Sequence, residues 1–433
     1  MNAEERSRLL REVQLAGNCS HPIRLSGEIV NQATGEIGTR SLRIACKDRR
    51  HVVCPSCSYT YKADAWILVS SGLIGGKGTP EEVGGHPRLF VTMTAPSFGV
   101  VHTITSRGTC VTPNPKKSTL RGEASCNHGR PRSCHVRHAE ESPELGRPLC
   151  EECFDYEGAI LWNAHASKLW NNTIQTVRRS LAEAGGLRQK HLKSAAQIHY
   201  LKVAELQRRG LVHFHVILRA DGPGNIAEQV PSWLSIELLQ HVIRQSVRKS
   251  SASGVGEKVY QWGQLLDVQD LGGEVEDANA VASYVAKYVT KTTDGSRELA
   301  HRFTSRRQIQ TLVDEPHARL LALTSWTLGL RPELKHLQLR RHANAFGFTG
   351  QLITKSRDYS TTFRNLRSVR AEFMASQNQA DPVLGTFEYR GRGYDDPRAA
   401  ELAGLFFRMQ RELREERAQA RRSSSMTPLE GAS

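Results

Sequence analysis

No apolar run in these 433 residues approaches the roughly 20 that a membrane-spanning helix requires. Mean hydropathy is −0.46, so a membrane-embedded chain is excluded. The opening MNAEERSRLLREVQL is charged and lacks the apolar stretch of a signal peptide, which makes the cytoplasm the expected compartment. Cysteine is missing from the 280 residues after Cys153. All nine cysteines, an odd number, lie between Cys19 and Cys153, a layout unlike a secreted disulfide framework. A phosphate-binding loop is missing too. The Gly-rich stretch SGLIGGKGTPEEVGGHP has Ser71 where such a loop needs glycine and Gly78 where it needs serine or threonine. Acidic residues are scarce: 44 Asp and Glu face 59 Lys and Arg, a net charge of +15 that favours a polyanionic partner such as nucleic acid or an acidic membrane surface. No internal repeat stands out.

At about 150 residues per domain the length suits two or three domains, enough to bury a core without staples. Composition divides the chain into four parts. Residues 1–85 form a cysteine-containing segment that ends in the Gly-rich stretch, read as a flexible connection. Residues 86–295 form a body with a polar, Cys/His-rich insertion at 105–155. Residues 296–400 are a basic extension, and 401–433 a charged helical tail that frays into SSSMTPLEGAS. Within 301–370, 13 Lys and Arg stand against 4 Asp and Glu, a net +9. Arg340, Arg341, Lys355, Arg357, Arg364, Arg367 and Arg370, with Trp326 and Tyr359 among them, suit phosphate contact with some base stacking. The bland alternative is the solvated face of a helical extension.

The cysteines contain two Cys-x-x-Cys pairs, Cys54/Cys57 and Cys150/Cys153, and that spacing lets both sulfurs reach one tetrahedral zinc. Cys46 and Cys19 are candidate partners for the first pair. Cys126, Cys134, His128, His135 and His138 are candidates for the second. One or two structural zinc ions are expected, against the alternative of buried, redox-idle thiols.

The segment RLFVTMTAP alternates as a strand stopped by Pro96, and residues 160–185 carry a helical apolar face. AQIHYLKVAELQRRGLVHFHVIL reads as a hairpin turning at QRRG. Side chains alternate faces along a strand, so His213 and His215 point one way and Phe214 points into the core on the other side. Two neutral imidazoles with a carboxylate suit a divalent cation that keeps positions open for substrate oxygens, and Glu205 on the partner strand can cross the ladder as third ligand. DANAVASYVAKYVTK then has a helical period, with Glu274, Glu276 and Asp277 at its start. Four residues span 400° and about 6 Å of rise, so Tyr284 and Tyr288 lie on one face a turn apart. Lys287 and Lys291 each follow a tyrosine by three. A phenol is a weak nucleophile at neutral pH and needs a nearby cation or base. An amphipathic helix with packed tyrosines and solvated lysines gives the same spacing.

In this order, FVTMTAPSFG, VHFHVIL and YVAKYVTK resemble the rolling-circle replication initiators of the HUH endonuclease superfamily, with the paired tyrosines seen in phage and plasmid initiators. The segments around Cys54-Pro-Ser-Cys57, GRPLCEECFDY and FGFTGQLITKSRDYS are similar to actinobacterial plasmid initiators of the RepSA type, over roughly residues 40–375. The resemblance implies an α+β fold: an antiparallel-sheet HUH core over 86–295, cysteine-rich zinc-binding segments and a helical basic C-terminal extension. It implies that His213, His215 and Glu205 hold Mg²⁺ or Mn²⁺, that Tyr284 and Tyr288 are nucleophiles, and that Lys287 and Lys291 assist them. The implied activity is nicking and religation of single-stranded origin DNA through a 5′-phosphotyrosine in plasmid replication. Single- and double-stranded origin DNA, a host polymerase and a host helicase are the implied partners, with no membrane. A relaxase or transposase of the same superfamily is the runner-up, although relaxases more often carry their tyrosine ahead of the histidine motif. The opposing class is a non-catalytic, zinc-containing DNA-binding regulator.

Overall fold

The arrangement of strands 88–93, 197–206 and 212–221 decides where the histidines lie. In the computed structural model, residues 3–32, 34–104, 110, 125–272, 275–290, 298–376 and 383–425 are described. In chain order the elements are α1 (Ala3–Leu15), β1 (Ile23–Asn31), β2 (Ile37–Ile44), α2 (Pro55–Ile74), β3 (Arg88–Met93), α3 (Tyr156–Ala184), β4 (Gln197–Leu206), β5 (Val212–Asp221) and α4 (Ile236–Lys249). There follow β6 (Ser251–Ser253), β7 (Val259–Gln261), β8 (Leu266–Asp270), α5 (Val275–Thr290), α6 (Arg306–Leu312), α7 (Pro316–Leu328), β9 (Ile353–Lys355), α8 (Phe363–Ser376), β10 (Val383–Arg392) and α9 (Pro397–Ser425). The chain forms two compact units, 65–363 and a second built from 1–64 with 364–433.

The larger unit is organised on a five-stranded antiparallel sheet in the order β8-β3-β5-β4-β9. The expected strand, hairpin and two helices are all present, and the sheet class is antiparallel as read. Along β5, Val212, Phe214, Val216, Leu218 and Ala220 enter one core with Leu89, Val91 and Met93 of β3 and with Trp162, Leu169, Ile174 and Leu181 of α3. Fully burying a side chain such as Phe214 contributes about 1.5–3 kcal/mol. Asp155 caps α3, its carboxylate accepting from Gly158 N–H at 2.8 Å. Asn163 of the same helix accepts from Val212 N–H at 3.0 Å and donates to the carbonyl of Gly210 at 2.8 Å, which fixes the turn ahead of His213. Gly210 has φ +79°, a left-handed conformation that glycine adopts without a Cβ penalty. The opposite sheet face carries Phe90, Thr92, Glu205, His213 and His215, and α5 packs against β4.

Two expectations need correction. The Gly-rich stretch is not a loose connection at its start: Ser71 to Ile74 complete α2, and Leu73 and Val83 are fully buried. Nor is 296–400 a separate helical extension. Ile309, Leu321, Trp326 and Phe346 join the same core as α3, and β9 adds an edge strand to the sheet beside β4. A charge count reports surface chemistry, whereas the apolar residues between the charges set the packing.

In the smaller unit β1 pairs with β2 on one side and β10 on the other, so chain segments about 360 residues apart share one antiparallel sheet. Leu9 and Val13 of α1 are buried with Ala399 and Ala403 of α9. The divisions at 85, 295 and 400 read from composition do not coincide with this partition. Residues 426–433 of the tail lie outside the described residues.

Candidate functional site

The β4–β5 register sets Glu205 directly across from His213, and His215 across from Val203. On the other flank β3 brings Thr92 opposite His215. The two imidazoles are stacked with ring centroids 4.6 Å apart and planes at 20°. His215 Nε2 lies 3.3 Å from a Glu205 carboxylate oxygen, and its Nδ1 lies 3.2 Å from the Thr92 hydroxyl. One donor atom from each of Glu205, His213 and His215 falls within 4.8 Å of the others, so the three could hold a metal ion. Burial, with His215 and Arg209 nearby, pushes the His213 pKa down to about 3, which keeps that imidazole neutral as a ligand must be. His213 Nε2 is buried with no hydrogen-bond partner among the described residues, an orphaned ring nitrogen in a set of residues that could hold an ion. At Nδ1, Gln207 Nε2 approaches to 2.7 Å, and Arg209 Nε donates to Gln207 Oε1 at 2.9 Å.

Helix α5 delivers Tyr284 to this cluster. Its ring stands edge-on to His215 at 5.6 Å and to Phe90 at 5.7 Å, and 44% of the residue is exposed. The preceding residue, Ser283, accepts from Trp66 Nε1 at 3.3 Å, which ties α5 to α2. Lys287 is exposed on the same helix. Tyr288 belongs to α5, but its side chain, like all of Lys291 and Glu274, lies outside the described residues. A cleft of about 1140 Å³ opens beside His213, lined among others by His102, Gln207, Arg208, Arg209 and Trp262.

The cysteines sort cleanly by space. Cys19, Cys46, Cys54 and Cys57 form one set, as the first knuckle requires. Cys126, His128, Cys150 and Cys153 form the second. For Zn–S near 2.3 Å and Zn–N near 2.0–2.1 Å a tetrahedron has S···S edges of about 3.8 Å and S···N edges of about 3.5–3.6 Å. Cys19 and Cys54 sulfurs are 3.7 Å apart, and His128 Nδ1 lies 3.3, 3.6 and 4.0 Å from Cys153, Cys150 and Cys126. Against the raising effect of burial, the backbone N–H groups of His128 and Arg130 bring the Cys126 pKa down to about 6, a thiolate at neutral pH. Both sets could therefore hold a metal such as zinc. Cys134 and His138, expected with the second pair, instead sit with His102 and Cys110, two residues the sequence reading passed over. His135 falls in none of these sets; its ring nitrogen lies 3.2 Å from the Ser133 hydroxyl.

The basic residues divide between the units. Arg340, Arg341 and Arg357 are exposed in 65–363, Arg364 and Arg370 are exposed in the other unit, and Arg367 there is half-buried. Lys355 is half-buried and donates to the carbonyls of Ser356, Arg357 and Ser360 at 3.2, 2.9 and 2.7 Å, a structural clasp. The aromatic pair expected to stack on bases is corrected: Tyr359 is fully buried with its hydroxyl toward Val69 O, and Trp326 is 7% exposed beneath the Arg340 guanidinium, 4.3 Å above its ring. Neither ring faces outward, because each supplies apolar area to the core.

The profile of the RepSA family, described as replication initiator protein of pSAM2, matches residues 5–406. The chain belongs to the RepSA family of replication initiators. A Streptomyces ambofaciens protein named as a replication initiator protein is 35% identical to this initiator over 410 residues, covering 88% of this chain and 83% of the relative. No solved structure matches the chain. Among the described residues of the initiator no helix is long and apolar enough to cross a membrane.

Proposed function

We propose that this initiator is a metal-dependent endonuclease that nicks and rejoins single-stranded origin DNA in rolling-circle replication. The observation that carries the reading is the convergence of the Glu205, His213 and His215 donors beneath an exposed tyrosine, Tyr284. Glu205, His213 and His215 would hold Mg²⁺ or Mn²⁺, and the ion would polarise the scissile phosphate and offset charge developing in the transition state. The chain's own groups do the rest. Thr92 fixes the His215 ring at Nδ1, which leaves Nε2 beside Glu205 for the ion, and Gln207 positions the His213 ring at Nδ1. The Tyr284 hydroxyl attacks phosphorus and gives up its proton as the 3′ oxygen leaves and takes one. The products are a 5′-phosphotyrosine and a free 3′-hydroxyl that a host polymerase extends. The phosphoester bond is conserved in the tyrosyl adduct, so rejoining needs no nucleotide triphosphate. Tyr288, four residues on, serves as the second nucleophile that closes the released circle, with Lys287 and Lys291 lending positive charge. Arg340, Arg341 and Arg357 contact phosphates beside the nick from the same unit.

The purified protein, given Mn²⁺ and an end-labelled single-stranded origin oligonucleotide, should form a protease-sensitive covalent adduct. Tyr284→Phe with Tyr288→Phe should abolish it, and His213→Ala should lower its rate at least 100-fold. An adduct that persists in the double variant overturns the assignment. Specific binding without any adduct favours the non-catalytic regulator.

A further inference from the structure

We propose that His102, Cys110, Cys134 and His138 bind a third structural zinc ion, and that this ion pins one wall of the cleft beside His213. Donor atoms of all four residues lie within 4.8 Å of one another. Three of the six distances between them come within about 0.3 Å of the edges of a tetrahedron built around zinc. His102 Nδ1 and His138 Nε2 are 3.1 Å apart, where about 3.3–3.4 Å is expected for two nitrogens. Cys110 Sγ lies 3.4 Å from His102 Nδ1 and Cys134 Sγ lies 3.6 Å from His138 Nε2, against about 3.5–3.6 Å for sulfur and nitrogen. The imidazole rings meet at 89°, so their nitrogens converge on a point while the rings keep clear of each other.

The surroundings are those of a ligand set. Thr103 N–H lies 3.3 Å from Cys110 Sγ and its hydroxyl donates to the Cys110 carbonyl at 3.0 Å, which fixes Cys110 beside His102. The other nitrogen of His138, Nδ1, faces a Glu144 carboxylate oxygen at 3.8 Å, a little beyond hydrogen-bond length, on the side where a metal-bound histidine has its outer partner. The cysteine inventory agrees as well. The two Cys-x-x-Cys sets take seven cysteines, and the remaining two are Cys110 and Cys134, so every cysteine of the chain belongs to a four-donor set. An odd total arises because the sets differ in composition: four thiols, three thiols with one imidazole, and two thiols with two imidazoles.

The location gives the ion its role. His102 N–H donates to the Arg147 carbonyl at 2.8 Å and its carbonyl accepts from Gly146 N–H at 2.9 Å, while Arg208 donates to the Ser142 carbonyl at 3.1 Å. His102, Thr103, Leu145 and Gly146 line the cleft together with His213 and Arg208. An ion joining His102 and Cys110 to Cys134 and His138 therefore stiffens the wall facing the histidine site. This holds whether or not that site nicks DNA.

The full-length protein, purified without chelator, is tested by native mass spectrometry and elemental zinc analysis, with His213→Ala run in parallel to subtract any zinc held by the Glu/His/His cluster. Three zinc ions per chain are expected, falling to two in Cys134→Ser and in His138→Ala. Two in the unmodified chain, or an unchanged count in both variants, overturns the proposal. Wild-type protein supplies a check that does not depend on how the variants fold. Half-buried Cys134 should resist iodoacetamide until zinc is stripped by a chelator, then react together with Cys110 without any reductant. Alkylation of Cys134 in the zinc-loaded protein, or a need for reductant that reveals a disulfide, overturns it equally.

Discussion

At the scale of single residues, the histidine site depends on which proton His213 carries. Arg209 holds Gln207 Oε1, so the amide nitrogen faces His213 Nδ1 at 2.7 Å and favours a ring protonated at Nε2. Metal binding through the orphaned Nε2 needs the proton on Nδ1, and therefore an acceptor at position 207. Gln207→Glu replaces that donor by an acceptor and should raise Mn²⁺ affinity about 10–100-fold over the unmodified chain, while Gln207→Leu, which offers neither, should fall between the two. Equal affinities in a calorimetric titration would rule out this link. Lys202, 3% exposed, lies with its ammonium 4.0 Å over the Phe214 ring, and burial pushes its pKa down to about 8. The unfolded chain keeps a value near 10.4 and binds the proton more readily, so this group costs stability at neutral pH and the cost disappears as pH rises from 8 to 10.5. Lys202→Met should raise stability by about 1–3 kcal/mol at pH 7, with a smaller advantage at pH 10, as read from denaturant midpoints. His213, His215 and Glu205 were legible because strand alternation and a hairpin place them on one face. His102 and Cys110 were not, since a spacing of seven intervening residues signals no knuckle and only folding brings them to Cys134.

At the scale of elements, α2 ends where two buried guanidinium groups meet its last carbonyls. Arg88 of β3 donates to Leu73 O, and Arg219 of β5 donates to Gly72 O. These cations complement the negative end of the helix dipole. Arg219 also forms a two-pronged pair with Asp221 at 2.7 and 2.9 Å, and His86 Nδ1 lies 2.7 Å from the same carboxylate, all of them buried. Burial alone would raise the Asp221 pKa, but His86 and Arg219 hold it below the usual carboxylate range. Removing one partner of such a pair leaves a buried charge uncompensated, so Asp221→Ala should cost about 3–5 kcal/mol in chemical denaturation. A loss under 1 kcal/mol would show that the cluster is dispensable. The helix runs on to Ile74, into the start of the Gly-rich stretch, because this anchoring outweighs the weak helix preference of Ser-Ser-Gly. Gly72 itself fits since any Cβ would collide with the Tyr359 ring at 2.1 Å. The Gly-rich composition hid that ending, whereas α3, α5, β3 and the β4–β5 hairpin were readable from periodicity.

At the scale of the whole chain, the two ends make one unit, and each segment of its sheet needs the other. Truncation after residue 376 would remove β10 from the edge of β1 and the α9 residues Ala399 and Ala403 from Leu9 and Val13. Limited proteolysis of that truncated protein should cut preferentially within residues 1–64 and spare 65–363, and uniform resistance would refute the pairing. By itself the sequence determined the local elements, the strand face shared by His213 and His215, the cysteine pairs and the class of partner, because periodicity, spacing and charge act within a few residues. Tertiary structure alone decided that Trp326 and Tyr359 are core rather than surface, that four distant donors meet at a third cluster, and that the termini share a sheet. Those outcomes depend on which apolar faces bury each other across hundreds of residues, a choice made by packing after the local signals have been spent.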